Sequence, residues 1–427
     1  MPAVSSPSGR SGDDRCPGAL RAHQAADGLL VRVRIPGGRL DVPQLRRLAA
    51  AARQHADGTL ELTSRGNVQL RGIPAADEVN RVAAVLVASG LLPSATHETV
   101  RNIVASPLSG LDSGGHLDVR PLVTAVDAAL CATADLAELS GRFLVALDDG
   151  RGDVAALGAD LCWTAGTGAL LLAGRDVGLR VAGDEVAAAM VAAARAFLHR
   201  RAGRRDVWRI ADLPEAVGAI VAALGGPHTE PADPRGPHAD PVNPPRGPHA
   251  GPVGPPRAGR HAGPVGPPRV GPHPAGFVVA AAPLGRLTAT QAEAVAELAG
   301  GPVVVTPWRT IVVVGLPAVT MPGLVETGLI VDPASPWIGV TACTGRPGCG
   351  SALADVRADA TAALAAAGPS AAGALPLHWA GCDRCCGRPA APAAIVVATA
   401  AGYRVAGHRE EHHGPLPKRV AQARSRA

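Results

Sequence analysis

The chain has 427 residues, 47% of them apolar, and a formal net charge of +5 at pH 7. That is more than one ordinary domain, so a two-domain or duplicated architecture with sizeable cores is expected. Aromatic residues are only 2%, which argues against stacking platforms for single-stranded nucleic acid. No run of about 18 apolar residues reads as a membrane span. Residues 1–15 are polar, lack the apolar core of a signal peptide and are expected to form a disordered tail. A cytoplasmic protein with no nucleic-acid or membrane partner is the expectation, and there clustered cysteines bind metal more often than they form disulfides. Lys418 is the one lysine. An arginine-only basic set suits bidentate binding of carboxylates or phosphates, although GC-rich coding bias produces the same Ala, Gly, Pro and Arg excess.

From Gly28 the alternation Leu-Leu-Val-Arg-Val-Arg-Ile predicts a strand, closed by Pro36-Gly37-Gly38. Asp41 to Gln54 predicts a helix capped by Asp41, with Leu45, Leu48 and Ala49 at helical spacing. Thr59 to Arg71 alternates as one strand and Ala76 to Ser89 returns to a helical period, so 16–92 forms an α+β half-domain. A second module, 93–225, has helices near Pro121–Thr133 and Asp184–Arg201, with strands at Arg142–Leu147 and Ala169–Leu172. Residues 226–274 repeat a Pro-Arg-Gly-Pro-His unit too rich in Pro and Gly to pack a core. Its His238, His249, His261 and His273 are a conceivable metal set, but composition favours a passive linker.

After the linker the first half returns. Gly276-Phe277-Val278-Val279 echoes Gly28-Leu29-Leu30-Val31, Gly285-Arg286-Leu287 echoes Gly38-Arg39-Leu40, and Trp308-Arg309 falls at Ser64-Arg65. The chain reads as a duplication, with a second half-domain over 275–331, a second module over 332–407 and a basic tail over 408–427. In this alignment Ile103, Ser109, Ala146 and Gly150 stand where the second half has Cys343, Cys349, Cys382 and Cys386. Arg101, Asn102 and Arg142 fall at the equivalent cysteine-free loops.

Four thiolates from two loops can close a tetrahedral site for zinc or a 4Fe–4S cluster, and the C-x5-C spacing of Cys343 and Cys349 favours the bulkier cluster. Cys382-x3-Cys386 completes the set, although Cys382-x2-Cys385 is also a legal pair. Ser351 is expected to cap a helix through Ala352–Ala367 whose positive end faces the site. On the strand Thr63–Arg71, residues Arg65, Asn67, Gln69 and Arg71 alternate, so all four are expected on one face. The bland reading is a solvated outer face. The set contains no acceptor-only group, however, and with Arg101 and Arg142 it makes a donor-rich pocket for anions.

These residues resemble the nitrite and sulfite reductase superfamily. The shared features are the C-x5-C and Gly-Cys-x3-Cys motifs, Thr-Ser-Arg-Gly-Asn-Val-Gln-Leu-Arg from Thr63, and Arg101-Asn102. Within it the resemblance is greatest to the precorrin-3B synthase branch, through Cys16-Pro17, Asp27-Gly28-Leu29-Leu30-Val31-Arg32 and Thr306-Pro307-Trp308-Arg309. The resemblance implies an α+β fold of duplicated ferredoxin-like half-domains plus two cluster/substrate domains, related by a pseudo-two-fold axis. It implies a 4Fe–4S cluster on Cys343, Cys349, Cys382 and Cys386, and a tetrapyrrole substrate, precorrin-3A, held by Arg65, Asn67, Gln69, Arg71, Arg101, Asn102, Arg142 and Arg309. The implied reaction uses O2 to hydroxylate the ring and form a lactone, with electrons from NADH through a reductase or from ferredoxin. That branch is also described with a non-haem iron, for which no His/carboxylate triad stands out here. The alternative is a siroheme-dependent nitrite or sulfite reductase. Those enzymes carry Lys-Phe-Lys where this chain has Arg142-Phe143-Leu144, which weakens the case for small oxyanions.

Overall fold

In the computed structural model, residues 14, 16–226, 266–316, 321–365, 374–389, 392–406 and 416–424 are described. The expected N-terminal tail, most of the Pro/Gly/His repeat with His238, His249 and His261, and much of the C-terminal tail lie outside them.

The first half begins with β1 (His23–Ala25), β2 (Gly28–Val33), β3 (Arg39–Leu40), α1 (Val42–His55), β4 (Thr59–Leu62), β5 (Val68–Ile73) and α2 (Ala76–Ala88). Asp41 caps α1 as expected, accepting from the Gln44 amide, and the Gln44 side chain accepts from Asp41 in return, a reciprocal pair the sequence reading did not name. Leu45, Leu48, Ala49 and Ala52 form the buried stripe of α1. The single strand expected over Thr59–Arg71 is two, joined by a hairpin loop in which Gly66 takes a positive φ of 66°. Next come β6 (Ile103–Ala105), α3 (Arg120–Ala132), β7 (Val145–Asp148), β8 (Leu161–Thr164), β9 (Ala169–Leu172), β10 (Arg175–Arg180), α4 (Val186–Arg201) and α5 (Ala216–Ala223).

The second half repeats both units: β11 (Gly271–His273), β12 (Phe277–Ala281), β13 (Arg286–Thr288), α6 (Ala289–Leu298), β14 (Val303–Val305), β15 (Thr310–Val314) and α7 (Met321–Glu326), then β16 (Val340–Ala342), α8 (Val356–Ala365), β17 (Leu377–Ala380), β18 (Ala394–Thr399), β19 (Gly402–Ala406) and α9 (Leu416–Arg424). Thr288 and Gln291 reproduce the cap of Asp41 and Gln44. Strand β11, read from sequence as the end of the linker, is the edge strand of a sheet. Its Pro272 is tolerated because an edge residue has no ladder donor to supply.

The two ferredoxin-like sheets run β1-β2-β5-β4-β13 and β11-β12-β15-β14-β3, so each half lends its short strand to the other's sheet. Helices α1 and α6 pack together beneath them, and Leu40, Leu48, Leu60, Val305, Ile311 and Val295 belong to one continuous core. At the crossing, a Cβ on Gly38 would lie 2.0 Å from the Val305 carbonyl oxygen, so only glycine lets the halves close.

The remaining sheets are β10-β9-β8-β7-β6 and β16-β17-β18-β19. In each, the first three strands in chain order are parallel and the next returns antiparallel. Their registers, Ile103↔Val145↔Leu161 and Val340↔Leu377↔Ala394, correct the counterparts aligned from sequence. Cys343 follows β16 as Ser106 follows β6, and Cys382 stands two residues past β17 as Gly150 does past β7. Arg101, Asn102 and Arg142 lie before their strands, at the other end of the sheet.

Candidate functional site

Cys343 and Cys382 follow neighbouring parallel strands, so their loops meet at one sheet end. The Gly381 amide donates to Cys343 Sγ at 3.1 Å, and a Cβ there would lie 2.7 Å from that of Ala352. The loops are tied together by Cys343 N–H to Trp379 O at 2.8 Å and Leu353 N–H to Gly381 O at 2.8 Å. All eight cysteines are free thiols. Burial raises the Cys386 thiol pKa, and Cys343, Cys382 and Cys349 raise it further, so all three lie close to it. Cys385 has a left-handed φ of 45°, and after burial its surroundings are Arg388, Asp383, Arg404 and Cys382.

No three of these sulfurs lie within 4.8 Å of one another. Tetrahedral zinc with bonds of about 2.3 Å would need sulfurs about 3.8 Å apart. As placed, the four sulfurs are spaced more widely than the ligands of a tetrahedral zinc. The helix expected to point at the site from Ser351 begins only at Val356.

Beside Cys343 and Cys386 opens a cavity of about 700 Å3, within the size range of ligand sites. Arg32, Arg65, Arg142, Arg209, Arg286, Arg309 and Arg357 line it, against the carboxylates of Glu61 and Asp212. Arg209 pairs with Asp160 at 2.6 Å, Arg357 with Glu61 at 2.5 Å and Arg286 with Asp57 at 3.2 Å. Arg142 lies 4.4 Å over the Trp208 ring and 3.8 Å from Asp14. Arg32, Arg65 and Arg309 have no carboxylate partner among the described residues. Arg32 donates to Gln69 at 2.9 Å, and Arg65 donates to the Gly141 and Arg142 carbonyls at 3.2 and 3.0 Å. Burial, with Arg209 nearby, pushes Arg65 down to about 10. Burial, with Arg32 nearby, pushes Arg34 down to about 9. The half-buried Arg32, Arg65 and Arg309 feel Glu61 or Asp160 only at a distance, and a bound polyanion would offset their desolvation.

Of the expected substrate residues, Arg65, Asn67, Gln69, Arg142 and Arg309 reach this cavity. Arg71 does not: it pairs with Asp27 at 2.9 Å and donates to the Gly348 carbonyl at 3.0 Å, bracing the loop before Cys349. Arg101 is spent on Asp127 at 2.7 Å and the Leu91 carbonyl. Asn102 is buried, bonding Asn67 and the Gly141 carbonyl, and so shapes the pocket loop without facing the cavity. Arg32, Arg209, Arg286 and Arg357 escaped sequence reading. For Arg32 the signal was present: it alternates with the buried Val31 and Val33.

At the first half's equivalent strand ends, Asp148, Asp149 and Asp153 bring ligand atoms within 4.8 Å, the one such trio among the described residues. Its carboxylates are already engaged. Asp148 accepts from four backbone amides, including Gly152 and Val154, Asp149 pairs with Arg151 at 2.8 Å, and Asp153 accepts from Ser106 at 2.6 Å. It is a closed structural knot.

Residues 21–86 and 271–327 each match the family described as the nitrite/sulfite reductase ferredoxin-like half domain. The Mycobacterium tuberculosis NirA protein superposes with a TM-score of 0.66 at 20% identity, over 92% of this chain and 79% of that one. Each half of the chain thus carries this ferredoxin-like half domain, and the NirA likeness extends the shared fold over most of the chain. A precorrin-3B synthase from Sinorhizobium sp is 28% identical over 410 residues, covering 91% of this chain and 81% of the relative. A ferredoxin–nitrite reductase from Synechococcus elongatus is 32% identical over 133 residues, only 25% of that protein. The duplicated α+β fold is thus that of the superfamily, and these named relatives are enzymes. No helix among the described residues is long and apolar enough to cross a membrane.

Proposed function

We propose that the chain is a cytoplasmic precorrin-3B synthase-like monooxygenase of aerobic cobalamin biosynthesis. It hydroxylates precorrin-3A with O2 and forms a lactone from an acetate side chain. The observation that carries this reading is the cavity in which seven arginines, three without a carboxylate partner among the described residues, stand beside Cys343 and Cys386. A tetrapyrrole bearing many carboxylates supplies the missing counter-charges; a small oxyanion meets one or two of them. Similarity to a precorrin-3B synthase along most of both chains supports the same reading, whereas the nitrite reductase matches are local.

Cys343, Cys349, Cys382 and Cys386 would hold a 4Fe–4S cluster, which supplies single electrons when bound. Arg32, Arg65 and Arg309 bind substrate carboxylates, and Arg142 on Trp208 closes one side. Gln69 orients Arg32 by accepting a hydrogen bond from its guanidinium, and Glu61 fixes Arg357. Inserting one oxygen atom and releasing the other as water consumes two electrons and two protons, supplied by NADH through a reductase or by ferredoxin. The non-haem iron described for this branch finds no free donor set among the described residues, so no step is assigned to it.

The test is anaerobic incubation of the purified holoprotein with precorrin-3A and reductant, then oxygen and mass measurement. A product heavier by one oxygen atom is expected. Stable siroheme bands in the purified protein, with no oxygenated product, would overturn the reading in favour of the reductase.

A further inference from the structure

Three guanidiniums from outside the cysteine loops hold carbonyls within them. Arg357 donates to the Cys343 carbonyl at 3.2 Å, Arg71 to Gly348 at 3.0 Å and Arg309 to Gly387 at 3.0 Å, next to Cys386. Two of the three are charge-matched, Arg71 by Asp27 at 2.9 Å and Arg357 by Glu61 at 2.5 Å. Arg309 has no carboxylate partner among the described residues, and it lines the cavity.

The local backbone shows how this side chain is aimed. Arg309 sits in the β14–β15 hairpin with a left-handed φ of 58°, where the β4–β5 hairpin has Gly66 at 66°. The turn bonds correspond, Gly66 N–H to Thr63 O and Arg309 N–H to Thr306 O, which moves the sequence alignment of Arg309 from Arg65 to Gly66. A non-glycine residue there is strained. Space for its side chain comes from Gly285, where a Cβ would stand 2.7 Å from Arg309 Cδ. Behind the same loop, the buried His378 bonds the Cys386 carbonyl at 3.1 Å and Thr341 Oγ1 at 2.9 Å. The segment Cys386-Gly387 is therefore fixed from the protein side by His378 and from the cavity side by an unmatched cation.

We propose that Arg309 is a positioning residue that couples the cavity to the cluster loop, so that a substrate carboxylate engaging it lowers the cluster's reduction potential. The inference rests on the cavity and ligand reading above. A cation near the cluster favours the reduced, more anionic state; a carboxylate neutralises it and favours the oxidised state. Filling the cavity thereby makes the cluster a stronger donor only when substrate is present to be oxidised.

The test uses the cluster-loaded protein and uroporphyrin, a polycarboxylate tetrapyrrole. Binding is read by porphyrin fluorescence, and the cluster potential by a redox titration followed by electron paramagnetic resonance. In the unaltered protein the potential is expected to fall on binding. In Arg309→Gln, the probe should still bind with affinity reduced less than about tenfold, the unliganded potential should already be lowered, and the ligand-induced fall should be less than half. Arg309→Lys, which keeps the charge, should restore most of that fall. An equal fall in Arg309→Gln, or binding to the unaltered protein with no fall, overturns the coupling while the cavity reading stands. Failure of uroporphyrin to bind the unaltered protein removes the cavity reading and the coupling with it. The measurement on the unaltered protein decides the matter even if a variant loses its cluster.

Discussion

Replacing Arg71 by methionine separates a brace from a substrate ligand. The side chain is 6% exposed, bonds both Asp27 carboxylate oxygens at 3.1 and 2.9 Å, and holds the Gly348 carbonyl at 3.0 Å. Removing one partner of a buried ion pair costs about 3–5 kcal/mol, because the other charge is stranded. Asp27 is 25% exposed, so water recovers part of this and the low end applies. The unmet Gly348 carbonyl adds about 1 kcal/mol, giving about 3–4 kcal/mol in total. Urea unfolding followed through cluster absorbance should show an earlier loss of the cluster, and iron content after purification should fall. Uroporphyrin affinity of the molecules that keep their cluster should change less than about threefold. Unchanged cluster stability with a tenfold or greater loss of affinity would refute the reasoning and return Arg71 to the substrate.

Cys385→Ser should leave iron and sulfide content intact while Cys386→Ser removes most of it, since Cys386 faces the other three thiols; equal loss in both would refute the ligand choice. Burial raises the Asp153 carboxyl to about 6 from 3.8. The folded state therefore holds the extra proton between those values, and stability falls as pH rises through that window, by up to about 3 kcal/mol. Asp153→Asn should flatten this loss and raise stability at pH 7, read from urea midpoints at pH 4 and 7. Gly38→Ala, whose added carbon meets the Val305 carbonyl, should cost more than about 2 kcal/mol or abolish soluble expression; a variant of normal stability would mean that the strand exchange tolerates displacement there.

Duplication, the capped helix at Asp41 and the meeting of the two cysteine loops were legible because each rests on a local signal: ordered Gly, Arg and Pro landmarks, a capping Asp ahead of a helical period, and thiols in glycine-rich loops. Register was not. Ala- and Val-rich segments align almost equally well several residues apart, and this set Ile103 rather than Ser106 opposite Cys343. Strand exchange was invisible because β3 and β13 have two and three residues, too few for a period. The anion site was half legible. Alternation correctly put Gln69 and Arg71 on one face of β5, but a face does not say what stands opposite, and Arg71 met Asp27 and Gly348 instead of the cavity.

The exchange of β3 and β13 explains why one site arises from two similar halves. It locks the halves about a shared core, so that Arg65 and Gln69, from the first hairpin, stand across a cavity from Cys343 and Cys386, in the second module. At the matching strand ends of the first module, Ser106, Asp148 and Asp153 close on their own hydrogen bonds and need no ligand. At those of the second, the loops end in thiols and backbone amides with one sulfur-directed bond among those described, Gly381 to Cys343. The first end is closed by its own side-chain hydrogen bonds; the second presents free thiols in the same place. On the cavity side, Arg32, Arg65 and Arg309 have no carboxylate partner among the described residues, and Arg309 reaches both the cavity and the Gly387 carbonyl beside Cys386.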